Sequence, residues 1–164
     1  MTVNKPKILV YGYGNPGSQD DGLGVMLAEE LERWSVEKSL THIRTDSNYQ
    51  LNLEDAAEIA DYDLVIFADA SKEDIRHFSF EPLIPSEKVE FSMHAVSPAF
   101  ILHLCRQVFN HEPETYLLHI RGHEWEFMND MTGFARDNLN RACEYVKKFI
   151  LDYSKPIVKN SYSY

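Results

Sequence analysis

Three carboxylates and one imidazole dominate what this sequence can do chemically. Asp20 and Asp21 stand side by side in ILVYGYGNPGSQDDGLGV, Asp69 follows the apolar run of DLVIFADA, and His94 lies in SMHAVSP. Carboxylate oxygens together with a ring nitrogen form a donor set suited to a borderline divalent ion such as nickel or zinc, with coordination positions left over. Each residue also has a purely structural reading. One of Asp20 and Asp21 fits as a cap on the helix that follows, where an acid satisfies free N–H groups and the helix dipole. The other is then free to face a crevice. Asp69 suits a turn after a strand, and a lone histidine is more often a hydrogen-bonded structural residue than a ligand. Convergence of all three at one rim is what favours the metal reading.

The glycines of the first segment formally satisfy the phosphate-cradling G-x-G-x-x-G spacing at Gly12, Gly14 and Gly17. That reading needs backbone N–H groups aimed at a pyrophosphate. Pro16 removes one such group, and Asp20 and Asp21 place negative charge where phosphates would sit. Like charges a few ångströms apart cost about 1 kcal/mol or more at protein-like dielectric. A nucleotide is therefore rejected.

Other catalytic arrangements match poorly. Neither a G-x-S-x-G elbow nor an H-E-x-x-H helix occurs. His119 and His123 are spaced for a helical face, but the residues between them read as strand and turn, so both are taken as structural or surface residues. His103 is a helix residue without an assigned role, and Trp34 and Trp125 are assigned to the core. Cys105 and Cys143 fall inside helical patterns, which suits a reducing cytosol and not a disulfide framework or thiolate metal site.

Positioning these residues requires strands alternating with helices. ILVY is a buried strand stopped by glycine, and Gly22 to Trp34 sets Leu23, Leu27, Leu31 and Trp34 on one helical face, with Glu29, Glu30 and Arg33 opposite. HIRT is a second strand and QLNLEDAAEIA a second helix. In DLVIFADA the strand covers Leu64 to Ala68, with Asp69 just past its end. HFSF and VEFSM are shorter strands, Ile101 to Val108 a third helix, YLLHI the last strand, and Ala135 to Phe149 a final amphipathic helix. The pattern predicts an α/β three-layer sandwich around a mostly parallel sheet, with ILVY, LVIFA and YLLHI as central strands covered on both faces. Ligands in such sheets bind beyond the carboxyl ends of the strands, near the switch point.

Bulk properties set outer limits. The chain has 164 residues, 44% hydrophobic and 26% charged, with a formal net charge of −10. One domain over residues 1–153 and a loose tail over 154–164 are expected. The negative charge disfavours nucleic acid and anionic membrane surfaces as partners. No signal peptide or membrane-spanning run is read, so a cytoplasmic, monomeric protein is expected.

In order and spacing, GYGNPGSQDDGLGV, LVIFADA and SMHAVSPAFIL resemble the signature regions of the [NiFe]-hydrogenase maturation endopeptidases, over Lys7 to Ile150. QLNLEDA is similar to a segment of members that serve cytosolic hydrogenases. The resemblance implies an aspartyl-type endopeptidase that removes a C-terminal peptide from the precursor of the hydrogenase large subunit after nickel insertion. It also implies metal ligands at Asp21, Asp69 and His94, which are the candidates for catalysis as well. Nickel would be presented by the substrate, with zinc or cadmium standing in for it in vitro. Many members carry Glu where Asp21 stands, which is one methylene longer, and RGHEWEFMNDMT lacks a glycine that many relatives place before the last helix. Two alternatives remain. Peptidyl-tRNA hydrolase, an esterase of related fold, shares G-x-G-N-P-G but follows it with a histidine-bearing segment and uses a basic surface. A non-catalytic, nickel-dependent hydrogenase assembly chaperone would use the same site.

Overall fold

The computed structural model describes residues 4–88 and 96–156. Its strands are β1 (Ile8–Tyr13), β2 (Ile43–Asn48), β3 (Leu64–Ser71), β4 (Phe78–Pro82) and β5 (Glu114–Arg121). Its helices are α1 (Leu23–Glu37), α2 (Asp55–Ile59), α3 (Pro98–Phe109) and α4 (Gly133–Tyr153), with a 3-10 turn at Gln19–Gly22. The strands form one sheet in the order β2-β1-β3-β5-β4, parallel except for the antiparallel edge strand β4. ILVY, LVIFA and YLLHI are thus the three inner strands, as their unbroken apolar character requires.

Strand alternation divides the apolar side chains between two faces. Ile8, Val10, Leu64, Ile66, Leu118 and Ile120 pack beneath α1 and α4 with Leu23, Leu27, Leu31, Ala142 and Val146. Leu9, Tyr11, Val65 and Phe67 pack on the other face against Ile59 of α2 and Ile101, Leu102 and Cys105 of α3. Helices on both sides of a sheet make the three-layer sandwich. Cys105 and Cys143 are free and buried in separate layers, and among the described residues no helix is long and apolar enough to cross a membrane.

Several boundaries differ from the sequence expectation. The second helix is confined to Asp55–Ile59, because the Asp55 carboxylate accepts the Asn52 N–H and turns the chain just before it. β3 continues to Ser71, so Asp69 lies inside the strand. β5 keeps pairing there, Asp69 with His119 and Ser71 with Arg121, after β1 has ended its pairing with β3 at Gly12–Ala68. Trp34 is buried as expected, but Trp125 is only half-buried, in the loop between β5 and α4 with the Lys72 ammonium over its ring. The expected strand VEFSM, His94 and most of the expected tail, residues 157–164, lie outside the described residues.

Candidate functional site

The strand order reverses between β1 and β3. β1 leads through α1 to β2 on one side, while β3 lies on its other side and leads on to β5 and β4. In open parallel sheets the crevice beyond such a reversal is where ligands bind. The loop leaving β1 forms one wall of that crevice here. Gly12 has no room for a side chain, since a Cβ would collide with the Gly24 carbonyl at the start of α1. Gly14 adopts φ +136, a conformation L side chains rarely take, and a Cβ there would meet the Asp21 carbonyl. The glycines therefore let the loop fold back on the helix start, and no phosphate needs to be invoked for them.

Asp20 and Asp21 part company in that loop. Asp20 is fully buried. Its Oδ2 accepts the N–H groups of His123 at 2.7 Å and Glu124 at 3.0 Å and the Thr132 hydroxyl at 2.8 Å, and its Oδ1 accepts the Thr132 N–H at 2.8 Å. Burial would raise its pKa, but these donors hold the carboxyl below the usual carboxylate range. Thr132 in turn caps α4, its hydroxyl accepting the Ala135 N–H. Asp20 is a latch between the loop after β1 and the loop before α4. The expected cap on α1 does not form, because α1 follows directly from the 3-10 turn and no side chain caps either.

Asp21 turns the other way. Its Oδ2 accepts the Asn15 N–H at 2.9 Å, and its charge reaches Asp69. Alternation places Asp69 on the α2/α3 face of β3, the same face on which Tyr13 of β1 packs. Burial and the Asp21 charge push Asp69 up to about 7, against opposing hydrogen bonds from the Ala70 N–H and the Tyr13 hydroxyl. Burial and the Asp69 carboxylate push Tyr13 well above its ordinary value. Among the described residues neither Asp21 nor Asp69 joins an ion pair, and none group three potential ligands about one point. Asp21 and Asp69 are brought together at the switch point, whereas His94 lies outside the described residues.

Two carboxylates sharing a half-buried crevice, with no ion-pairing cation among the described residues, repel each other, and a divalent ion relieves that repulsion. The donor chemistry therefore fits a metal approaching from solvent. A carboxyl titrating near neutrality is also able to move a proton in catalysis. No thiol competes for that role, since burial pushes Cys143 up to about 12 and the Cys105 thiol is buried, donating to the His111 carbonyl. Sequence reasoning missed Tyr13 and the latch role of Asp20. Alternation along β1 and β3 was enough to place Tyr13 beside Asp69, but nothing local pointed to partners for Asp20 in the loop before α4.

No protein-family model and no curated protein matches the chain. Solved structures do. A [NiFe] hydrogenase maturation protease HycI from Thermococcus kodakarensis KOD1 is 19% identical, with a TM-score of 0.68 over 90% of this chain and 94% of its own. The hydrogenase maturating endopeptidase HybD from E. coli is 21% identical, with a TM-score of 0.69 over 89% and 93%. A hydrogenase 2 maturation peptidase from Thaumarchaeota archaeon SCGC_AB-539-E09 is 19% identical, with a TM-score of 0.63 over 88% and 97%. At these identities the comparison establishes a shared fold across nearly the whole of each chain.

Proposed function

We propose that this chain is an endopeptidase that removes the C-terminal peptide of a [NiFe]-hydrogenase large-subunit precursor, and that Asp21 and Asp69 recognise nickel carried by that precursor. The observation that carries the reading is the pair of carboxylates at the β1/β3 reversal, with Asp69 pushed up to about 7 beside Asp21. The maturation proteases that share the fold, and the three sequence segments that resemble theirs, support it. His94 is the third donor that the sequence motif supplies.

Nickel is substrate here, and when bound it supplies Lewis-acid polarisation of a carbonyl or of water. The chain contributes position and charge. The Asn15 N–H fixes one oxygen of Asp21, the Tyr13 hydroxyl orients Asp69, and the Asp20 latch holds the loop that carries Asp21. A cation held beside it would favour the ionised Asp69 carboxylate, the form that can serve as a ligand.

The test is to incubate purified protein with nickel-loaded and nickel-free precursor and measure intact mass. Loss of a C-terminal peptide from the loaded form alone is expected. A wild-type protein that binds the precursor without shortening it would favour the chaperone. One that ignores the precursor and releases peptide from peptidyl-tRNA would favour the esterase.

A further inference from the structure

The loop between β5 and α4 exposes large apolar side chains on the rim of the crevice. Phe127 and Met128 are 71% and 82% exposed, and Phe134 in the first turn of α4 is 74% exposed. The loop that carries Phe127 and Met128 is tied down. The Asp20 latch holds His123, Glu124 and Thr132, the Gln19 side chain accepts the Glu126 N–H and donates to the Glu124 carboxylate, and the Met128 N–H donates to the Gly17 carbonyl. Met128 is held in the left-handed region at φ 64. Every one of these anchors lies in the segment that also carries Asp21. Exposed aromatic and methionine side chains on an ordered backbone are the composition of an interface core, where pre-organisation lowers the cost of binding.

Charge selects the occupant. From Gly122 to Met131 the chain carries Glu124, Glu126 and Asp130 and neither Lys nor Arg. Past the carboxyl end of β2, Tyr49 and Leu53 are also exposed, and the Gly14 N–H joins that end to the loop after β1 by donating to the Asn48 carbonyl. We infer that Phe127 and Met128 anchor a basic, apolar segment of the substrate protein, laid across the crevice with its cationic side chains on Glu124, Glu126 and Asp130. The inference rests on the reading of the chain as a protease acting on another protein, and it names the part of that protein the chain grips. Apolar anchors supply the affinity, while the acidic rim selects against acidic segments.

The surface is tested without any precursor. Isotope-labelled full chain is titrated with a synthetic peptide alternating lysine with leucine and phenylalanine, and with a counterpart in which glutamate replaces lysine. The basic peptide should shift the amide signals of Glu124 to Phe134, and the Phe127→Ser, Met128→Ser double variant should weaken it by about 10-fold or more while keeping wild-type dispersion elsewhere. Equal shifts from the acidic peptide, no shifts from either, or undiminished binding by the folded double variant would overturn the inference. With loaded precursor the same variant should raise KM and leave kcat, because the anchors touch no reacting atom. Failure of the wild-type chain to cut precursor counts against the proteolytic function, whereas absence of peptide shifts counts against the surface.

Discussion

Asp20 and Asp69 are both withdrawn from water beside the same loop, yet their surroundings drive them in opposite directions. Asp20 meets the N–H groups of His123, Glu124 and Thr132 and the Thr132 hydroxyl, and stays ionised below the usual carboxylate range. Asp69 meets burial and the Asp21 carboxylate and is pushed up to about 7. A carboxylate whose oxygens are all claimed by donors is a structural member. One raised by the charge of another carboxylate still has an interaction to make. Burial alone does not separate the two; the sign of the neighbours does.

The largest expected effect of breaking the contrast falls on Asp21. Asp21→Ala should lower processing of loaded precursor by about 100-fold or more, since even residues that only support a metal ligand contribute about 10–100-fold. Far-UV circular dichroism should be unchanged, because among the described residues the one side-chain hydrogen bond lost is that from the Asn15 N–H.

Asp20→Ala should act on stability instead. It leaves buried N–H groups of His123, Glu124 and Thr132 without their acceptor, a loss of about 2–4 kcal/mol measurable by urea unfolding. The sign with pH follows from a depressed carboxyl. The Asp20 contribution is present above the unfolded-state pKa near 4 and is lost as pH falls through the lower folded value. The gap between wild type and variant should therefore shrink on acidification.

Asp69 carries the reverse sign. A raised folded-state pKa stabilises the protein below about pH 4, and that contribution is lost as pH rises to about 7. Asp69→Asn should accordingly gain on wild type between those limits, by about 1–2 kcal/mol after discounting for partial exposure. A chemical-denaturation series across pH checks this, and a constant difference would contradict it.

The smallest effect is expected at a third carboxylate group. Glu58 is pushed up to about 8 by burial, a hydrogen bond with Asp46 and the charges of Asp46 and Asp55. The Asp55 carboxylate is already engaged by the Tyr11 hydroxyl and the Asn52 N–H. A raised pKa within a network that the chain itself closes does not mark a site. Glu58→Gln should leave the rate of precursor processing unchanged.

Much of the sandwich was legible because its determinants are local. Unbroken apolar runs in ILVY, LVIFA and YLLHI identify strands covered on both faces, and helical spacing at Leu23, Leu27 and Leu31 identifies a buried face. Asp69 was placed just past the end of β3, and not inside it, because the length of β3 is set by β5 and not by its own residues. The latch was illegible for a related reason. The partners of Asp20 lie more than a hundred residues away, in a loop with no periodic pattern of its own. Of the candidate residues, Asp69 and one of Asp20 and Asp21 were singled out by type and spacing, since strand ends at a switch point are fixed by topology, and the choice of Asp21 came from the resemblance.

The central claim is that the Asp21–Asp69 carboxylate couple at the β1/β3 reversal reads nickel in the substrate. Its most direct test is intact-mass analysis of nickel-loaded precursor incubated in parallel with wild type and Asp69→Asn, a variant that keeps size and shape but not charge. Wild type should release the C-terminal peptide while the folded Asp69→Asn protein leaves the precursor at full length. Undiminished cleavage by Asp69→Asn would contradict the account.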